Sequence, residues 1–398
     1  MSFSLMNRLI VYGFIVCFLS IFSSDSVSNK VMTTNNTWLP EGSVYLLKPK
    51  SRYFVSFFDK HVINDSACPN KFYSIRTRDM FSASNKKYCN EVWVRVYYPT
   101  LKQSFSGYYP VPSLISDIRS FGYNPTKKEI KEIESIKSYS APDLPIAPGH
   151  FPVIFFSPGY GIPAQEYENI IVSLVSYGYV VVAVNSQFIN GSFKLDDGAI
   201  VSMIVPENDK QKKYLFENSL SDLKFIFDLS KKSNFLNKLS GHINWAKIGL
   251  LGHSLGAATV AHFASYNGVD AIVSLDLTID LLYNSKCHLP IKKPYLHLFS
   301  SQMYAQNRSS NFPYLCESDR ARHGEEIVVI SNDKVGDIYS MHLNFTDYST
   351  LQYQPVIHSA LLEYNKVPAQ RFLGKGKGVF IAKSINRKLV HFFNHAFN

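Results

Sequence analysis

From Phe151 onward the chain alternates short, wholly apolar runs with longer segments of helical periodicity. "FPVIFF" and "YVVVAVN" are continuous apolar strands. Between them "EYENIIVSLVSYG" has the spacing of an amphipathic helix, and "LFENSLSDLKFIFDLSKK" predicts a second helix. Ile248 to Leu251, "DAIVSLD", "PYLHLF" and "EEIVVIS" predict four further strands. "LGAATVAHFASY" and the terminal "GVFIAKSINRKLVHFFNHAF" predict helices. Strands that are apolar at every position are those buried on both faces. The rhythm therefore predicts an α/β fold, a mostly parallel central sheet with helices on both faces.

Upstream of Phe151, "EVWVRVYYP" alternates as a strand should, and "SVYLLKP" and "RYFVSFF" read as edge strands. Leu114 to Ser138 is lysine-rich and of helical character, which suits either a solvated helix or a lid or membrane-facing element. It places an insertion over about residues 112–148, before the central strands. No internal repeat or low-complexity linker divides the rest, so a single domain is expected over residues 27–398.

The first 26 residues change the picture. Arg8 precedes the apolar run Leu9 to Phe22, and no acidic residue appears before Asp25. The run has the length of a signal-peptide core and is short for a membrane span. Small residues around Ser24 to Ser26 offer a cleavage site, and an uncleaved anchor is the alternative. Cys17 follows Val16 rather than a small residue, unlike a lipoprotein cysteine. Export makes the four remaining cysteines, Cys68, Cys89, Cys287 and Cys316, candidates for two disulfides, pairing as neighbours in the chain. The expected location is secreted and extracellular, or periplasmic in a bacterium. N-x-[ST] sequons stand at Asn35, Asn64, Asn190, Asn307 and Asn344.

The 398 residues are 46% hydrophobic and 18% charged, enough apolar side chains for a sizeable core, and the net charge is +10. No arginine-rich run or basic repeat points to nucleic acid, so attraction to an anionic lipid surface is the more natural use of that charge. No C-x-x-C or histidine cluster points to a metal, and no cofactor is expected.

Candidate chemistry centres on "KIGLLGHSLGAATVAHF", Lys247 to Phe263. G-x-S-x-G occupies Gly252 to Gly256, with a strand before it and a helix after it, a context that holds Ser254 out on a sharp turn as a nucleophile. A serine hydroxyl needs a histidine base, and the histidine needs a carboxylate to orient it. In this architecture the chain order is serine, acid, histidine. Asp276 ends "DAIVSLD", with Asp280 in reserve; the stretch after the next strand offers no carboxylate until Glu317. His342 lies in "YSMHLNFTDYS", beyond the final strand, ahead of His323 and His358 as base. His297 falls inside a strand, His391 and His395 in the last helix, and His253 faces away from the reaction by construction. The oxyanion hole needs two backbone N–H groups. Leu255 supplies one, and Tyr160, between the glycines of "SPGYGIP", the other.

Taken in order, "VRVYYP", "APGHFPVIFFSPGYG", "SYGYVVVAVN", "AKIGLLGHSLGAAT", "SLD" and "HLNFTDY" resemble the secreted platelet-activating-factor acetylhydrolases. These form the lipoprotein-associated phospholipase A2 family of α/β-hydrolases. The likeness runs from about Glu91 to Tyr348. It implies the α/β-hydrolase fold, a triad of Ser254, Asp276 and His342, oxyanion donors at Tyr160 and Leu255, and hydrolysis of short or oxidised acyl esters of phospholipids. Two departures fall beside the acyl pocket: Pro158 stands where the family has histidine, and Leu277-Thr278 replaces Ala-Trp. "SPGYG" also resembles secreted cutinases and polyester hydrolases, which makes hydrolysis of simple esters the alternative. A catalytically inactive lipid-binding relative is a third reading, which an intact triad disfavours.

Overall fold

The computed structural model describes residues 51–64, 90–104, 106–107, 127, 130–131, 137–191, 193–194, 200–201, 203, 206, 208–232, 234–264, 266, 268–277, 293–300, 325–330 and 378–398. The signal segment, the four cysteines expected in disulfides, Asp280, His323, His342 and His358 lie outside them.

Thirteen strands are described: β1 (Phe54–Asn64), β2 (Asn90–Thr100), β3 (Ser106–Gly107), β4 (Lys137–Ser138), β5 (Ser140–Pro142), β6 (Phe151–Ser157), β7 (Val180–Ser186), β8 (Phe193–Lys194), β9 (Ile200–Val201), β10 (Ile243–His253), β11 (Ala271–Leu275), β12 (Tyr295–Ser300) and β13 (Glu325–Ile330). Nine of them form one sheet in the order β13-β12-β11-β10-β6-β7-β2-β1-β5. From β13 to β7 all neighbours are parallel. β2 runs antiparallel to both β7 and β1, and β5 closes the edge parallel to β1. The end of the expected insertion, Ser140–Pro142, is thus part of the sheet. The stretch "RYFVSFF" lies one place inside the edge.

Period-two alternation sends successive side chains of each strand into opposite layers. Val153 and Phe155 of β6, Val180 and Val182 of β7, and Ile248 and Leu250 of β10 join one core. Ile154, Phe156, Val181, Ala183 and Leu251 join the other. Helices α2 (Asp209–Lys232) and α3 (Leu255–Phe263) cover the first face. Helices α1 (Glu168–Ser176) and α4 (Gly378–Ala396) cover the second.

Local signals set the helix ends. Asn208 caps α2, its Oδ1 accepting the N–H of Gln211 at 3.0 Å, and Lys231 and Lys232 stand in the last turn where the dipole favours cations. Helix α1, expected to be amphipathic, is buried along its whole length because α4 packs over its outer side. Its polar residues are accommodated internally. Ser176 Oγ donates to Ser173 O at 2.7 Å, and the Glu168 carboxylate accepts from the hydroxyls of Ser138 and Ser140. Burial pushes the Glu168 carboxyl up to about 7 against these hydrogen bonds and the attraction of Arg95.

Phe155 of β6 is fully buried and meets the ring of Phe227 on α2 at a centroid separation of 5.0 Å. Phe155→Ala should lower unfolding free energy by about 3–5 kcal/mol, since a dense interior closes only partly over the void. Urea denaturation followed by far-UV circular dichroism measures this; a loss under 1 kcal/mol would contradict the packing described.

Candidate active site

The loops that follow β6, β10 and β11 meet at one edge of the sheet, because these three strands are parallel neighbours. Ser254 stands between the end of β10 and the start of α3 with φ 52° and ψ −114°. A side chain in that region is strained, and surrounding structure must hold it there. The backbone does so from both sides. Ser254 N–H donates to Leu275 O at 2.9 Å, and Ser254 O accepts from Ala258 N–H at 3.1 Å, opening the helix.

The flanking glycines are required by close approach. A Cβ on Gly252 would fall 2.2 Å from the carbonyl oxygen of Gly256, and one on Gly256 would fall 2.0 Å from Ser157 O at the end of β6. Ser254 is half-buried, while Leu255 and all but one of the remaining α3 residues are buried. The serine therefore stays reachable at the head of a helix that is itself packed away.

Asp276 directly follows β11. It is 1% exposed, its N–H donates to Leu298 O at 2.8 Å, and its φ of 46° is again in the left-handed region. Phe188, in the loop after β7, has φ 65°. Three of the four described non-glycine residues with positive φ thus lie in loops at this one edge of the sheet. Such strain gathers where a fold holds functional groups.

Tyr160 lies in the loop after β6, half-buried against the first core, and burial pushes its phenol well above the usual range. Ser254, Leu255, Tyr160 and Asp276 are therefore at the ends of adjacent strands. His342, expected as the base, lies outside the described residues. His297 is buried in β12 and stacks on Tyr295 at 3.9 Å; His391 and His395 are exposed on α4.

The site holds two polar side chains that sequence reasoning passed over. His253 is buried beneath the loop after β6, with Nδ1 2.8 Å from the Tyr167 hydroxyl, which in turn accepts the Gly159 N–H at 3.0 Å. Burial lowers the imidazole to about 3, so it is neutral. Asn190, in the loop after β7, reaches the same loop from its other side. Among the described residues no cluster of His, Cys, Asp and Glu is arranged to hold a metal ion, and no helix is long and apolar enough to cross a membrane.

The chain is similar in structure to the ferulic acid esterase from Streptomyces cinnamoneus, with a TM-score of 0.61 at 19% sequence identity, covering 89% of this chain and 93% of that one. The chain has the α/β-hydrolase fold. A scan against family models and a search of curated proteins give no match.

His253 makes stability depend on pH. The unfolded imidazole takes a proton near pH 6.5, whereas the folded one resists until about 3, so folding stability falls as pH drops below 6.5. Glu168 contributes in the opposite sense, and it is common to wild type and any His253 variant. His253→Asn keeps an acceptor near the Nδ1 position but cannot titrate. Between pH 6 and 4.5 wild type should lose up to about 1.4 kcal/mol per pH unit more than this variant. Urea titrations at four pH values read the difference; parallel slopes would contradict a buried neutral His253.

Proposed function

We propose that the protein is a serine hydrolase of carboxylic esters. The observation that carries this is the strained Ser254 corner between β10 and α3, half-exposed beside Asp276 at the end of the adjacent strand. In the proposed reaction Ser254 Oγ attacks the ester carbonyl while His342 takes its proton. Asp276 orients and stabilises the resulting imidazolium. The carbonyl oxygen becomes an oxyanion that receives the N–H groups of Tyr160 and Leu255. Collapse expels the alcohol with the proton returned by His342, leaving an acyl-serine. Water, deprotonated by the same histidine, then releases the acid.

For substrate, the resemblance to the platelet-activating-factor acetylhydrolases supports a phospholipid ester with a short or oxidised acyl chain at the second position. The net charge of +10 supports work at or near an anionic lipid surface. The apolar leader, Leu9 to Phe22, and the even set of later cysteines support export to an oxidising compartment. The structural neighbour is named for esters of ferulic acid, and hydrolysis of simple esters remains the second reading.

Ser254→Ala and His342→Ala should each lower turnover on a chromogenic short-chain ester by about three or more orders of magnitude with an unchanged melting curve. Asp276→Asn should lose at least about a hundredfold. A near-normal Asp276→Asn beside an inactive Asp280→Asn would move the acid to Asp280. Wild type that neither turns over esters nor is labelled by a fluorophosphonate would end the hydrolase reading.

A panel of short-chain and long-chain phospholipids, an ester of ferulic acid and a simple butyrate separates the substrate readings. Short-chain phospholipid in anionic vesicles should be preferred, with turnover falling as salt rises, since exposed charges are screened beyond about 8 Å at physiological ionic strength. Turnover of the soluble butyrate should barely respond. Activity on simple esters alone would favour the second reading, and equal salt responses would remove the interfacial part.

A further inference from the structure

A backbone N–H has no rotamer of its own, so a donor in an oxyanion hole is aimed by whatever holds its peptide plane. The N–H of Tyr160 shares a plane with the carbonyl of Gly159, and in a trans peptide the two point in opposite directions; no cis bond occurs among the described residues. Whatever grips the Gly159 carbonyl therefore sets the direction of the Tyr160 N–H.

Two donors grip it: Ile162 N–H donates to Gly159 O at 3.3 Å from within the turn, and Asn190 holds it more closely from the neighbouring loop. Its Nδ2 donates to Gly159 O at 2.8 Å and to Pro158 O at 3.3 Å. Its own orientation is fixed because Oδ1 accepts the Ser186 N–H at 2.8 Å. Asn190 is 1% exposed, so these hydrogen bonds are not shared with bulk water. The two loops are further joined by Gly161 N–H donating to Ile189 O at 2.7 Å. On the opposite side the loop rests on the Tyr167–His253 pair. A Cβ at Gly159 would come within 2.8 Å of His253 Nδ1 and 3.0 Å of the Tyr167 oxygen, so the loop is also packed closely against this pair.

We propose that Asn190 is the positioning residue that aims the Tyr160 N–H at the oxyanion of the acyl-transfer transition state, an inference resting on the hydrolase reading above. Both hydrogens of its amide are used, one on each carbonyl.

Asn190→Asp tests this with almost no change of shape, turning the amide into a carboxylate that faces two carbonyl oxygens. Misdirecting one oxyanion donor should lower kcat by about a hundredfold. KM should stay within about twofold, since a ground-state ester leans little on that donor. A trifluoromethyl ketone, which adds to Ser254 Oγ and leaves a tetrahedral oxyanion, should lose affinity by the same factor as kcat/KM. A merely structural role would not make these two losses track each other. Asn190→Ala, measured in the same way, serves if the aspartate variant does not fold. Unchanged kcat, or a fall in kcat with undiminished ketone affinity, would overturn the inference while an inactive Ser254→Ala leaves the hydrolase reading standing. Wild type unreactive towards both ester and fluorophosphonate would overturn both.

Discussion

The close contact between the first turn of α3 and the end of β6 is the constraint on which the rest of the site depends. Helix α3 can start where it does only because neither Gly252 nor Gly256 carries a side chain. With either Cβ present, the helix would be pushed off the sheet by more than an ångström of overlap. That approach forces Ser254 into its positive-φ corner, because β10 must end and α3 begin within one residue. The same approach brings Gly256 beside Ser157 and Pro158, at the root of the loop that carries Tyr160. Ser254, the N-terminus of α3 and the loop carrying Tyr160 are thus arranged by a single steric fact. Ser254 pays for its strain through the buried layers around it, which are close-packed and resist relaxation.

Those layers explain why the fold was largely legible. Strands β6, β7, β10 and β11 are apolar on both sides because both sides are covered, and such runs cannot be mistaken for surface strands. Helix α2 begins six residues before its apolar pattern does, at Asp209 rather than Leu215. Its first turns are lysine-rich, with Lys213 exposed, and its start is set by the Asn208 cap. β10 likewise extends back to Ile243 through polar residues. Pairing with β6, with an irregularity between Asn244 and Ile248, recruits them although Asn244 and Lys247 break up the apolar run. β5 has only three residues, too few to show a period, and exists because β1 offers an open edge.

The site was legible in part, for a related reason. Ser254, Leu255, Asp276 and Tyr160 sit at strand ends within short motifs, so their positions follow from local pattern plus topology. Asn190 and His253 are defined by contacts across tens of residues. Asn190 acts 31 residues from Gly159, and His253 acts 86 residues from Tyr167. Nothing in "NGS" or in "GHS" separates a buried clamp from a surface sequon or a packing histidine. The signal that does so is polar accounting. A loop of glycines and proline that must hold one conformation next to Ser254 needs partners for its buried carbonyls. The loops at the ends of neighbouring strands are where those partners can come from.

The use of side chains for this clamp follows from the geometry of the loop. Residues 158 to 161 cannot join a ladder, because at this edge the neighbouring strand β7 has already ended in a turn, with Ile189 N–H donating back to Ser186 O at 3.2 Å. Each free carbonyl must then be met by water or by an amide. Water would let the peptide plane rock and would raise the local dielectric where an oxyanion is proposed to form. A buried asparagine does neither, since its donors are set by an acceptor bond at its other end. On the far side a hydroxyl held by a neutral imidazole serves better than a charged group. An imidazolium there would place a charge against a buried hydroxyl and the apolar layer around it. The depressed protonation of His253 follows from that burial and keeps the contact with Tyr167 uncharged.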